Sequence, residues 1–195
     1  MNDNTTDLEK MTKSKLYKVA GTCAQFVTQL AHHRAMNSFR KNGITIKCPF
    51  WITIFNNSID MAVLNWLHLF GSDSDELHWK KNVCEVDSFR GQLLGHIAMS
   101  QEDWENYWNE TKGYRDKTVA HIDSVPHVHV PDMSVAIKAA DFYYQWIFEV
   151  IKRDYPNVSF DYWPVDLNDY LKLKIQAVKE LLEKIGFDAA LVDTN

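Results

Sequence analysis

Glycine and proline are scarce in this 195-residue chain, with seven and five residues respectively. Folds made of many short strands draw heavily on both, since glycine supplies positive φ and proline presets turns. Their shortage favours long helices. Cys23, Cys48 and Cys84 are odd in number and show no metal-ligand spacing. That excludes a disulfide framework and a cysteine zinc site, and the plain expectation is three reduced, mostly packed thiols in a cytoplasmic protein. Positive charge is not in excess either. The net charge is -5 and the pI near 5.9, which argues against broad non-specific nucleic-acid binding but leaves room for a local basic cleft. The chain has no Gly-rich phosphate loop, no paired catalytic carboxylates, no internal repeat and no low-complexity segment. Its first ten residues, Met1 to Lys10, are polar and acidic, without an apolar signal core. The most apolar stretch, Pro49 to Phe70, carries Asn56, Asn57, Asp60, Asn65 and His68. Such groups are costly in lipid, so the stretch is expected to be a buried helix, with no membrane partner.

What the chain does contain is apolar and aromatic. Hydrophobic residues make up 46% and seven are Trp, enough for one sizeable core. Leu16, Val19, Cys23, Phe26 and Leu30 recur at helical spacing and predict a helix from about Asp7 to Arg40, ended by Gly43. The run Ile44-Thr45-Ile46 could be extended but is too short to imply a sheet. Pro49 is well placed as the first residue of a helix reaching Phe70, with Gly71 beyond it. A helix with Phe89, Leu93, Leu94 and Ile97 on one side opens at Val86 or Asp87. Ser100 followed by Asp103 makes a short capping box for another, predicted to run on towards Pro126. Pro131-Asp132 opens a helix from about Met133 to Tyr155 that is apolar nearly all round, as a central helix would be. Asp166 caps a last helix to about Ile185. The expected fold class is therefore all-α, a bundle of five or six helices in a single domain over 1–195. Within it, 1–48 would be an N-terminal helix and connection, 49–155 the core, and 156–195 a C-terminal helix and tail.

The richest chemistry lies in Tyr114-Arg115-Asp116-Lys117-Thr118-Val119-Ala120-His121-Ile122-Asp123. It sets an always-charged guanidinium and a titratable imidazole one to two helical turns apart. Arg suits phosphate, and His is the commonest general acid or base near neutrality. In an unbroken helix, Trp104, Trp108, Thr111, Arg115, Val119 and Ile122 fall on one stripe, with Arg115 in the middle of the apolar face. Tyr107, Tyr114 and His121 form a second line along its flank. Gly113 could bend the helix and shift this phase. On geometry alone, a helical Arg more often anchors a carboxylate and a helical His more often packs.

The run Arg-Asp-Lys-Thr-Val-Ala-His resembles the signature of HEPN domains (higher eukaryotes and prokaryotes nucleotide-binding), in which Arg and a polar residue precede a His after four to six intervening residues. Here five intervene and Asp116 is the polar residue. Tyr114 and the Ala120-His121-Ile122-Asp123 ending look most like the abortive-infection branch. The resemblance covers roughly Ile52 to Ile151. It implies an all-α homodimer in which the motifs of both chains meet in one cleft, and a metal-independent endoribonuclease of the toxin or phage-defence type with no cofactor. RNA would be the substrate, DNA would not, and an antitoxin protein would be a further partner. Arg115 and His121 would be catalytic: His121 moving a proton at the ribose 2′-hydroxyl or the leaving oxygen, Arg115 stabilising phosphorane-like charge. Asp116 would orient Arg115 or the partner's imidazole, Lys117 could hold phosphate, and Tyr114 could stack on a base or, more plainly, pack.

Other constellations compete. A non-catalytic module of the same fold would bind a nucleotide, an RNA or a protein partner. His127-Val128-His129, with His121 and Asp123, could hold a metal, although loop histidines are the default and the expected metal set is none. Asn57, Asp60 and His68 share a sector of an otherwise apolar helix, as satisfied core polar groups or as supports for the motif. His78-Trp79-Lys80-Lys81 could line an RNA path with Trp79 as a stacking surface, or be an exposed loop that Trp79 anchors.

Overall fold

In the computed structural model, residues 3–43, 45–120, 129–157 and 163–187 are described, with side chains from residue 13 onward except those of 119 and 120. Among them are seven α-helices and no strand. They are α1 (Asp3–Lys41), α2 (Pro49–Phe70), α3 (Trp79–Asn82), α4 (Val86–Ile97), α5 (Gln101–Tyr114), α6 (Met133–Asp154) and α7 (Leu167–Lys184), and α5 continues as a π-helical segment, Arg115–Ala120. The all-α expectation holds. The helix count exceeds five or six because Trp79–Asn82 forms a helical turn of its own, started by His78, whose ring accepts the backbone N–H of Lys80. A single turn leaves no periodicity to read.

Helix α1 is the spine. Its 39 residues extend about 58 Å at 1.5 Å each, and it packs against α2, α6 and α7. Val19, Cys23, Phe26, Val27 and Leu30 are fully or almost fully buried and share one core with α2, α4, α5, α6 and α7. Further along, Ala35, Met36 and Phe39 join Leu182 and Phe187 in a smaller core. Helix α6 is central as predicted, burying Ile137, Tyr143, Tyr144, Ile147 and Ile151.

The caps follow their sequence signals. Ser100 Oγ accepts the Asp103 N–H at 3.0 Å and donates to the Asp103 carboxylate at 2.7 Å. Asp132 and Asp166 accept the N–H groups of Ser134 and Asp169. Pro49 opens α2, where its missing N–H would have no helical partner anyway. One buried carboxylate lies between helices. Asp141 of α6 accepts the Leu167 N–H at 3.0 Å and the Asn168 side-chain amide at 3.2 Å, which docks the start of α7. No helix among the described residues is long and apolar enough to cross a membrane.

Candidate functional site

Helix α5 presents Trp104, Tyr107, Thr111 and Tyr114 to the core. Tyr107 meets the Trp66 ring edge-on at 5.6 Å, and Trp104 meets it at 5.8 Å. This corrects the phase expected for the helix. The two tyrosines lie on the buried line, not on its flank, while Arg115 sits at the border with solvent, its side chain 31% exposed. The cause is energetic: a tyrosine ring gains from burying its apolar body, enough at Tyr107 to bury a hydroxyl that has no hydrogen-bond partner among the described residues, whereas a guanidinium in a core loses hydration that a packed face cannot replace.

Tyr114 packs, and its hydroxyl donates to Asp60 of α2 at 2.7 Å. Burial pushes the Asp60 carboxyl up from the usual carboxylate range, and the Tyr114 bond partly offsets this. Burial, with Asp60 beside it, pushes the Tyr114 phenol up as well. Asp60 thus ties α2 to the residue before Arg115. Asn57 and His68, grouped with it in sequence, are exposed, and His68 pairs with Asp75 at 2.6 Å. They are therefore neither core polar groups nor supports for the motif.

At Arg115 the winding changes from α to π. Gly113, the expected point of bending, lies within regular α-helix. Thr118 Oγ1 donates to the Tyr114 carbonyl four residues back at 2.5 Å, an arrangement that bends helices. Of the expected stripe, the Val119 side chain and Ile122 lie outside the described residues. Arg115 is held by its neighbour, with Nε 2.7 Å and Nη2 2.5 Å from one oxygen of Asp116. Lys117 is exposed and Asp116 half-buried. His121, Asp123 and His127 lie outside the described residues, and His129 is exposed. Among the described residues no group of three or more His, Cys, Asp or Glu is placed to hold a metal. Cys23, Cys48 and Cys84 are free thiols, and burial pushes the Cys23 thiol up.

Arg115 lines a cleft of about 620 Å³ bounded by the end of α2, the loop after it, α3, α4 and α5. Lys80, Arg90 and Lys112 line it too, with Asp73 and Glu105 as its acids. Four cations to two acids is a local reversal of a chain that is acidic overall. The floor is fixed by the Trp108 indole N–H, which donates to the Phe70 carbonyl at 2.7 Å. Buried His78 stands beside it, its imidazole pushed down by burial. The stacking role considered for Trp79 does not hold. Its ring is 4% exposed and already stacks on Phe89 at 5.2 Å, so it anchors the turn while Lys80 faces the cleft. Arg90 had no sequence signal, because its place opposite α5 is purely tertiary.

A comparison with known protein families, curated proteins and solved structures finds no match for this chain.

Proposed function

We propose that this chain is a HEPN-like, metal-independent endoribonuclease of the toxin or phage-defence kind, working as a cytoplasmic homodimer on RNA. The observation that carries the reading is the position of Arg115, at the α-to-π junction and at one end of a basic cleft in an acidic protein. π-Helical insertions recur at functional sites, where they re-aim side chains. In the reaction, the ribose 2′-oxygen attacks the adjacent phosphorus and the bond to the 5′-oxygen breaks. His121 takes the 2′-hydroxyl proton and an imidazolium returns one to the leaving oxygen. The products are a 2′,3′-cyclic phosphate and a 5′-hydroxyl. Arg115 stabilises the charge on the phosphoryl oxygens in the transition state. DNA lacks the 2′-hydroxyl and is not a substrate. Asp116 holds the Arg115 guanidinium in place, and Tyr114 with Asp60 fixes the backbone before it. Any antitoxin would act by covering this cleft or the dimer surface.

One observation favours a second reading. Asp116 already engages Nε and Nη2 of Arg115, as it would in a non-catalytic module that binds a ligand with its remaining donors. Incubating wild type, Arg115→Ala and His121→Ala with total RNA in chelating buffer separates the two. Discrete cuts ending in cyclic phosphate from wild type alone support the ribonuclease. No cutting by folded, dimeric wild type supports the binding module.

A further inference from the structure

We infer that the cleft along α5 binds the phosphodiester backbone of single-stranded RNA through Lys112, Arg90 and Lys80, leading the strand to Arg115; the identity of the ligand rests on the ribonuclease reading. The lining residues of α5 run along one face from Gln101 to Lys112, about 17 Å at 1.5 Å per residue, and Arg115 follows at the π junction. That is longer than a single nucleotide needs. The charge is graded along it: Glu105 lies towards the α5 N-terminus and Lys112 and Arg115 at the other end, one turn apart.

Two of the cations are held by rings more than by acids. The Lys112 ammonium lies 4.9 Å from the Trp108 ring centre, and the Arg90 guanidinium 5.7 Å from that of Trp79. The Arg90 contact with Asp87, at 3.3 Å with the acid 95% exposed, does little to neutralise it. A ring face positions a cation without cancelling its charge, which leaves that charge for a phosphate. Lys80 differs, because Asp73 holds it at 2.7 Å, so it contributes less. A positively charged groove that tracks one backbone suits a single strand. Duplex RNA is recognised across about 16 base pairs of broad surface, which a concavity of about 620 Å³ does not offer.

The test uses the full-length chain carrying His121→Ala, so that bound RNA stays intact, with fluorescence anisotropy of a short labelled RNA as single strand and as duplex. The single strand is expected to bind more tightly. Adding Lys112→Gln or Arg90→Gln should weaken it about tenfold each and flatten the dependence of log Kd on log salt by about 0.7 per contact removed. Lys172→Gln on the exposed face of α7 should change neither, and circular dichroism checks that each variant is folded. No RNA binding, equal binding of duplex, or binding indifferent to Lys112→Gln and Arg90→Gln overturns the inference. Cutting is scored separately on chains retaining His121. If wild type binds as expected but does not cut, the cleft assignment stands and the ribonuclease reading falls. If it cuts undiminished with Lys112→Gln and Arg90→Gln, the reverse holds.

Discussion

Trp66 and Arg115 lie on two sides of the same contact between α2 and α5, and they are held in opposite ways. Trp66 is fully buried, stacked on Phe70 at 5.2 Å and edge-on to Trp104 and Tyr107. Aromatic rings flank it, its indole N–H is buried without a hydrogen-bond partner among the described residues, and its place is set by shape and burial. Arg115 is about one-third exposed, faces a cleft lined with charge, and is steadied by one carboxylate beside it in sequence. A residue of the first kind contributes to stability through the apolar surface it buries. One of the second kind contributes little, so its position at a winding defect calls for a functional explanation. Tyr114 joins the two regions, packed on the core side with its hydroxyl on Asp60.

The sharpest way to break this contrast is to remove both residues in turn. Trp66→Ala should cost about 3–5 kcal/mol, since the surrounding rings cannot close over the space, and should abolish any activity along with the cooperative urea transition. Arg115→Ala should leave the urea midpoint within about 0.5 kcal/mol of wild type, yet cut RNA on the order of a hundredfold to a thousandfold more slowly. Large destabilisation by Arg115→Ala would make its ion pair with Asp116 structural and remove the reason for assigning it a role in the cleft.

A smaller effect tests the core side alone. Asp141→Ala removes the acceptor for the Leu167 N–H at the start of α7, where Leu167 is fully buried. The orphaned donor should cost about 2 kcal/mol. Hydrogen exchange should show the first turn of α7 opening well before α6. Uniform loss across both helices would mean that Asp141 serves the core generally and not the docking of α7.

These two regions were unequally legible in the sequence. The core was readable because burial imposes period. Leu16 to Leu30 on α1 and the nearly all-apolar α6 announce their helices, and Ser100, Pro49, Asp132 and Asp166 mark starts through local bonding that short motifs carry. The cleft was not, since Lys80, Arg90 and Lys112 come from three helices, and only folding sets them around one space. The motif helix fell between these cases. Its existence and cap were legible, but its phase was not. Two aromatic lines, Trp104 with Trp108 and Tyr107 with Tyr114, fit the same periodicity, and the fold buries Trp104 with both tyrosines while leaving Trp108 and Arg115 partly exposed. Asp60, which accepts the Tyr114 hydroxyl on the buried side, is 54 residues away. The change to π winding at Arg115 likewise leaves no periodic trace, because it spans little more than one turn.

The smallest effect concerns pH. His33 of α1 packs against Phe55 of α2, tilted, with ring centres 4.3 Å apart, and burial, with Arg34 and Arg40 nearby, pulls its imidazole down to about 4. Burial at the head of the cleft also lowers His78. In both regions the folded state thus holds a neutral imidazole that the unfolded chain protonates near pH 6.5. Between that value and the lowered one the unfolded chain binds more protons, so stability is fully present above about pH 6.5 and drains away as the pH falls towards 4. Asp60 and Asp141, raised by burial, act the other way over the range just above the ordinary carboxylate value. There the folded state binds the extra proton, so they soften the loss. His33→Phe keeps a ring against Phe55 while removing the core-side titration. Its urea midpoint should fall less than that of wild type between about pH 7 and about pH 4.5, and the fall that remains should belong to His32 and His78, both lowered by burial, and to carboxylates held low by their partners, such as Asp73 and Asp132. If His33→Phe and wild type lose stability in parallel, the acid sensitivity does not lie with the His33–Phe55 contact.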